Sequence, residues 1–268
     1  MRKHLSVLAL AARGTVCKVI AVTLLAAVLA GALLWLVPAY EDRVVYAHED
    51  GSVTSEYYPS DFKYLPAKTG AAAVCAVGFA ALLAVLSLNG CGYGAKTGLT
   101  VRRLRIGEDS LCLWWSLYNA VCVLFYWAVM AAVCVAVVKL RIDTVQMPYG
   151  SYTPGPQTLL LTVYSGAFLH HLLPLRDAAV WLENLLLTAL CAVSAARFSH
   201  AQRRGSFSIA PFIALALTVG SFFFRMGSST TILLCMVTAA ALGITMMQFL
   251  KGETDDDAKT DFRTAQDA

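Results

Sequence analysis

The chain has 268 residues, 58% of them hydrophobic and 14% charged, with a net charge of +4. A soluble domain carries about 25% charged residues, so the composition argues against a large soluble core. No block of Lys and Arg is dense enough to suggest nucleic-acid binding.

Six runs are nearly free of charge: residues 19–37, 71–88, 111–138, 178–196, 209–224 and 230–250. A bilayer core about 30 Å thick needs roughly 20 apolar residues in a helix, and these runs have that length. The expectation is an all-α membrane protein with six transmembrane helices. Three regions follow: an amphipathic helix over residues 1–18, a six-span domain over 19–250, and an acidic, disordered tail over 251–268. In the first, Leu5, Leu8, Ala9, Ala12 and Val16 recur at helical spacing among basic residues, as in a helix lying on a membrane surface.

The first span is expected to stay uncleaved, because its apolar run exceeds the 7–15 residues of a signal peptide. Residues 39–69 then lie outside, where six acids outnumber Arg43, Lys63 and Lys68. Val44, Tyr46, Val53, Ser55 and Tyr57 alternate with polar residues around Glu49-Asp50-Gly51. Asp-Gly is a strong two-residue turn signal, so a small external hairpin is expected. Tyr40, Tyr57, Tyr58 and Tyr64 suit the headgroup level.

The loop over residues 90–110 carries Lys96, Arg102, Arg103 and Arg105, which places it inside. Gly90-Cys91-Gly92-Tyr93-Gly94-Ala95-Lys96-Thr97 approaches a phosphate-cradling loop, G-x-x-x-x-G-K-[ST]. Ala95 stands where that loop needs glycine, and a membrane span precedes it instead of a buried strand, so no nucleotide site is expected. In the rest of the loop Leu99, Val101, Leu104 and Ile106 alternate with charge. That pattern suits either a short helix gripped by a cytoplasmic partner or a loop touching headgroups.

The third span, residues 111–138, would extend about 42 Å at 1.5 Å per residue, so it tilts or protrudes. Residues 158–175 are apolar enough to be a seventh span, and charge tests this. Six spans place fourteen of the 21 Lys and Arg inside and seven outside; seven spans place ten inside and eleven outside. The positive-inside rule prefers six, with both termini cytoplasmic. Gly166, His170, His171 and Pro174 make residues 158–175 an interfacial or re-entrant piece.

Glu183 and Asn184 fall inside the fourth span and Asn119 inside the third. Ionisable or amide groups there are either path residues or interhelical hydrogen-bonding groups, and all three are candidates for a translocation path. Adjacent His170 and His171 diverge by about 100° on a helix and are read as a polar edge rather than a metal pair. The eight cysteines lie in or beside apolar runs and form no CxxC pair. No HExxH or GxSxG occurs, nor a pair of carboxylates at one membrane depth, so no catalytic residue, metal or cofactor is expected.

The layout resembles the permease subunit of a bacterial type-2 ABC exporter. Thr100-Val101-Arg102-Arg103-Leu104-Arg105-Ile106-Gly107-Glu108 followed by Trp114-Trp115-Ser116-Leu117-Tyr118-Asn119 is similar to segments of small permeases of this kind. So is Phe168-Leu169-His170-His171-Leu172-Leu173-Pro174-Leu175-Arg176-Asp177. The resemblance implies a non-enzymatic transport subunit of the bacterial cell membrane, paired as a homodimer or heterodimer. It implies a separate cytoplasmic ATP-binding subunit that contacts Arg102, Arg103, Arg105 and Glu108, and a hydrophobic or amphipathic cargo. The chain departs from the better-known exporters in placing its apolar external piece after the third span rather than between the last two. The alternatives are a non-catalytic assembly or sensing protein, and an intramembrane lipid-modifying enzyme using Glu183 or His170.

Overall fold

A computed structural model describes residues 2–36, 42–47, 53–58, 62–89, 108–144, 156–203, 205–223, 227 and 229–247. In chain order these form α1 (Arg2–Leu36), a hairpin of β1 (Asp42–Ala47) and β2 (Val53–Tyr58), a 3-10 turn (Phe62–Tyr64) and α2 (Leu65–Lys68). Then follow α3 (Ala71–Ser87), α4 (Glu108–Thr144), α5 (Pro156–Ser165), α6 (Ala167–Leu172), α7 (Ala178–Arg203), α8 (Ala210–Phe223) and α9 (Ser229–Met247).

Among the described residues four helices are long and apolar enough to cross a membrane: Leu8–Leu36, Ser110–Thr144, Ala178–Arg203 and Ser229–Met247. Their outward surfaces are apolar. Leu25, Val28, Leu113, Val121, Leu185, Leu233 and Met236 are all exposed, a coat that water would penalise and lipid accepts. The apolar runs expected at residues 71–88 and 209–224 give shorter helices. α3 has 17 residues and α8 has 14, about 26 Å and 21 Å long. The α8 helix starts only at Ala210, after residues 206–209, which are not helical.

The amphipathic segment and the first apolar run do not separate. They form one helix of 35 residues, about 52 Å long. Ala11 is buried with Leu111, Trp115 and Ala196, and the Thr15 hydroxyl lies 2.9 Å from the Tyr118 hydroxyl. This stretch therefore packs against α4 and α7 instead of lying apart from the bundle. The α4 helix runs 37 residues without Gly or Pro.

Close approach fixes the α1–α3–α4 core. A methyl group on Gly78 would lie 2.6 Å from Ala26 Cβ and 2.7 Å from the Tyr126 hydroxyl oxygen. Tyr126 donates to the Cys75 carbonyl at 2.6 Å. At the far end of the same helices, buried Arg141 of α4 donates to the carbonyls of Leu34 and, at 3.1 Å, Trp35. A cation thus satisfies carbonyls that the last turn of α1 leaves without helical partners.

The hairpin is antiparallel, with Val44 opposite Glu56, Tyr46 opposite Thr54 and Ala47 opposite Val53. A two-residue Asp50-Gly51 loop would pair Val44 with Tyr57, one step away. Five residues separate the strands instead, and those turn residues, 48–52, lie outside the described residues, as do Tyr40 and the tail over 251–268.

Candidate functional site

The segment expected to be interfacial or re-entrant is a broken helix. The α5 helix ends at Ser165, Gly166 is extended (φ −75°, ψ 123°), and α6 begins at Ala167. Its ten-residue and six-residue arms are each too short to span a bilayer. The break needs glycine for space. A Cβ on Gly166 would lie 2.9 Å from the Thr162 carbonyl oxygen and 3.1 Å from that of Lys63.

The break delivers His171 to the interior of the bundle. Its ring centroid is 5.6 Å from that of Trp127 on α4. Trp127 stands twelve residues from Lys139, the nearest charged residue toward the end of that helix, which is about 18 Å along the axis. An imidazole at that depth is embedded in the bundle rather than set at its rim.

Three further polar residues converge on it. His171 Nε2 lies 3.0 Å from Ser221 Oγ of α8. His171 Nδ1 lies 4.0 Å from Glu183 Oε1 of α7. Asn184 Nδ2 donates to the His171 carbonyl at 2.8 Å, satisfying an acceptor at the end of α6. Glu183 is 2% exposed, and its Oε1 has no hydrogen-bond partner among the described residues. A buried carboxyl without a hydrogen bond is costly, and ionisable groups at membrane depth mark functional sites by default.

Above this cluster, Asp177 caps α7 by accepting from the Ala179 amide at 3.1 Å. Its other oxygen lies 3.9 Å from His170 Nε2. His170 packs edge-on against Tyr164 at 5.5 Å. The two histidines have separate surroundings, as their divergence on a helix requires.

Of the path candidates, Glu183 and Asn184 belong to this cluster and Asn119 does not. Asn119 Nδ2 donates to the Ala192 carbonyl at 3.3 Å, nine residues along α7 from Glu183, or about 13.5 Å. It ties α4 to α7. Arg102, Arg103 and Arg105 lie outside the described residues, and Glu108 opens α4. His171 carries more of the site than a polar edge would. Ser221 carried no sequence signal, because one serine in an apolar run reads as an ordinary helix residue. Among the described residues no group of three His, Cys, Asp or Glu is placed to hold a metal ion.

Ser221, His171 and Glu183 stand in the order of a nucleophile, a base and an orienting acid. The helix works against that chemistry. Ser221 Oγ also donates to the Thr218 carbonyl at 2.7 Å, and amides inside a helix are already bonded and cannot form an oxyanion hole. What the arrangement can do is hold, release or share a proton, or offer polar contacts inside an apolar bundle.

No family model matches this chain, and no curated protein or solved structure matches it.

Proposed function

We propose that this chain is the membrane-spanning permease subunit of an ATP-driven exporter in a bacterial cell membrane. A separate cytoplasmic ATPase would supply the energy, and the cargo would be hydrophobic or amphipathic. The observation that carries this reading is the broken α5–α6 helix, which holds His171 against buried Glu183 at depth. Discontinuous helices that bring polar groups to the interior are the recurrent device of transporters. Non-helical backbone is tolerated there only where protein or a cavity surrounds it.

In this reading α3 and α8 complete a six-span frame with both chain ends inside. The N-terminal half of α1, the ends of α3 and α7 and the start of α4 share one end of the bundle. Arg13, Lys18, Arg197 and Arg203 are near that end, and the 90–107 loop with Arg102, Arg103 and Arg105 joins there. ATP-driven motion of a partner pulling on that loop and on Glu108 would reach α3 and α4 directly. Two copies, or this chain with a second permease, would form the path.

Purification of the tagged chain from its native host in mild detergent tests the reading. A co-purifying ATP-binding subunit, lost on the triple replacement of Arg102, Arg103 and Arg105 by Ala, supports it. Recovery without any ATP-binding protein would remove its main support.

The Ser221–His171–Glu183 order favours a second reading, an intramembrane lipid-modifying enzyme. Ser221→Ala should then abolish a lipid conversion in cells; an unchanged lipid profile eliminates it.

A further inference from the structure

Between α7, α8 and α9, near the basic end of the bundle, lies a cavity of about 470 Å³, within the range of small-molecule sites. Its walls are apolar, with Leu190, Ile213 and Ile244 among them. Two polar side chains line it, other than Thr245: Arg197 of α7 and Ser208 of the non-helical segment before α8. Arg197 is half-buried, and its one hydrogen bond among the described residues is a long one, 3.4 Å from Nη1 to the Thr245 carbonyl. No carboxylate pairs with it among the described residues, and the lining contains no acid. Ser208 is 8% exposed, and its hydroxyl has no partner among the described residues.

A guanidinium carries five N–H donors and stays charged at any physiological pH. Holding one against apolar walls without a counter-charge is unfavourable, and a phosphate or carboxylate would relieve it through paired charge-assisted bonds. The mouth of the cavity defines the rest of the ligand. Phe207, Ile209, Ile213 and Ile244 line it and remain exposed by about half or more, so the opening is lateral and greasy. A free inorganic anion would gain nothing from those side chains, whereas an acyl chain would bury them.

The level of the site fits a headgroup. Ala196, next to Arg197, packs with Leu111 and Trp115 at the start of α4. Arg203, six residues further along α7, lies over the Trp115 ring at 5.1 Å. Indole rings and arginines gather at the headgroup level of a bilayer.

We infer that Arg197 and Ser208 form a binding site for a phospholipid with a net anionic headgroup. The phosphate would sit on the guanidinium and the serine hydroxyl, and an acyl chain would lie in the cleft between α8 and α9. A zwitterionic lipid is a poorer ligand, because the lining offers no acid for its cationic group. The inference requires α7–α9 to lie in a bilayer and does not depend on export or on an ATPase partner, so co-purification and lipid binding can fail independently.

Native mass spectrometry of the full-length chain tests it, with phosphatidylglycerol and phosphatidylcholine titrated in parallel. The wild type should retain phosphatidylglycerol at least tenfold more tightly. Arg197→Gln should lose that preference, and Ser208→Ala should weaken it. Arg203→Gln, at the same end of the bundle, should keep it. Thermal melting of each variant confirms folding, and Arg197→Lys, which keeps the charge but not the fork, should fall between wild type and Arg197→Gln if the latter folds poorly. Equal retention by wild type and Arg197→Gln, or equal losses in the Arg197 and Arg203 variants, would overturn the site. Displacement of the lipid by millimolar inorganic phosphate would show that the anion alone is recognised and would overturn the lipid assignment.

Discussion

Gly78→Ala isolates the close packing that organises the bundle. The new methyl would sit 2.6 Å from Ala26 Cβ, about 1 Å inside the 3.5–4.0 Å at which carbon atoms rest. It would also sit 2.7 Å from the Tyr126 oxygen, which must move and so weaken its 2.6 Å bond to the Cys75 carbonyl. Overpacking costs about 1–3 kcal/mol, and a buried tyrosine hydroxyl left without its acceptor costs about 1–3 kcal/mol more. Alanine returns about 1 kcal/mol through helix propensity, so the net destabilisation is about 1–5 kcal/mol. Gly220 of α8 is the control, because nothing lies within 4 Å of a methyl group there. Thermal unfolding in one detergent, followed by size-exclusion recovery, should show Gly78→Ala clearly below wild type and Gly220→Ala at or slightly above it. Equal stability of Gly78→Ala and wild type would refute the α1–α3–α4 packing described above.

Three further outcomes follow from named contacts. Arg141→Met should lower stability by about 1.5–3 kcal/mol, the usual range for hydrogen bonds to a charged group, read by the same melting assay, with Arg141→Lys intermediate. Gly166→Ala should open the α5–α6 break by pushing on the Thr162 and Lys63 carbonyls, seen as faster hydrogen exchange confined to residues 156–172. Glu183→Gln keeps the shape of the side chain and removes its titratable proton; it should melt within about 1 kcal/mol of wild type while, if the chain is a permease, reducing cargo movement at least tenfold in cells, and full transport by the variant would take Glu183 out of the mechanism.

The helices of the apolar runs were legible because lipid is a demanding solvent. Every span must satisfy its own backbone bonds, so a charge-free run of adequate length leaves little choice but helix. Gly166 and Pro174 set residues 158–175 apart from the uninterrupted apolar runs, but the sequence did not mark Gly166 as the point where the helix breaks. The continuity of α1 through residue 18 was not, because basic residues on one face suit a surface helix and the start of a span equally. The hairpin register also escaped, because strong Asp-Gly turn chemistry points to one pairing while the strands adopt the next. Glu183 could be flagged by its charge alone. Its grouping with His171 and Ser221 depends on three separate elements meeting, and no local pattern encodes that meeting. The Arg197 cavity was hidden for the same reason: its arginine reads as a positive-inside residue until α8 and α9 close around it.

The central claim is the frame itself, in which α5–α6 enters and leaves on one side and six helices cross. Reporter fusions after Gly205 and at the chain end measure it most directly, with a third in the 145–155 loop. The account predicts that the first two report the cytoplasmic side and the third the outside. A reporter after Gly205 that reads external would mean that residues 156–172 cross the membrane, and it would contradict both the re-entrant site and the six-span permease.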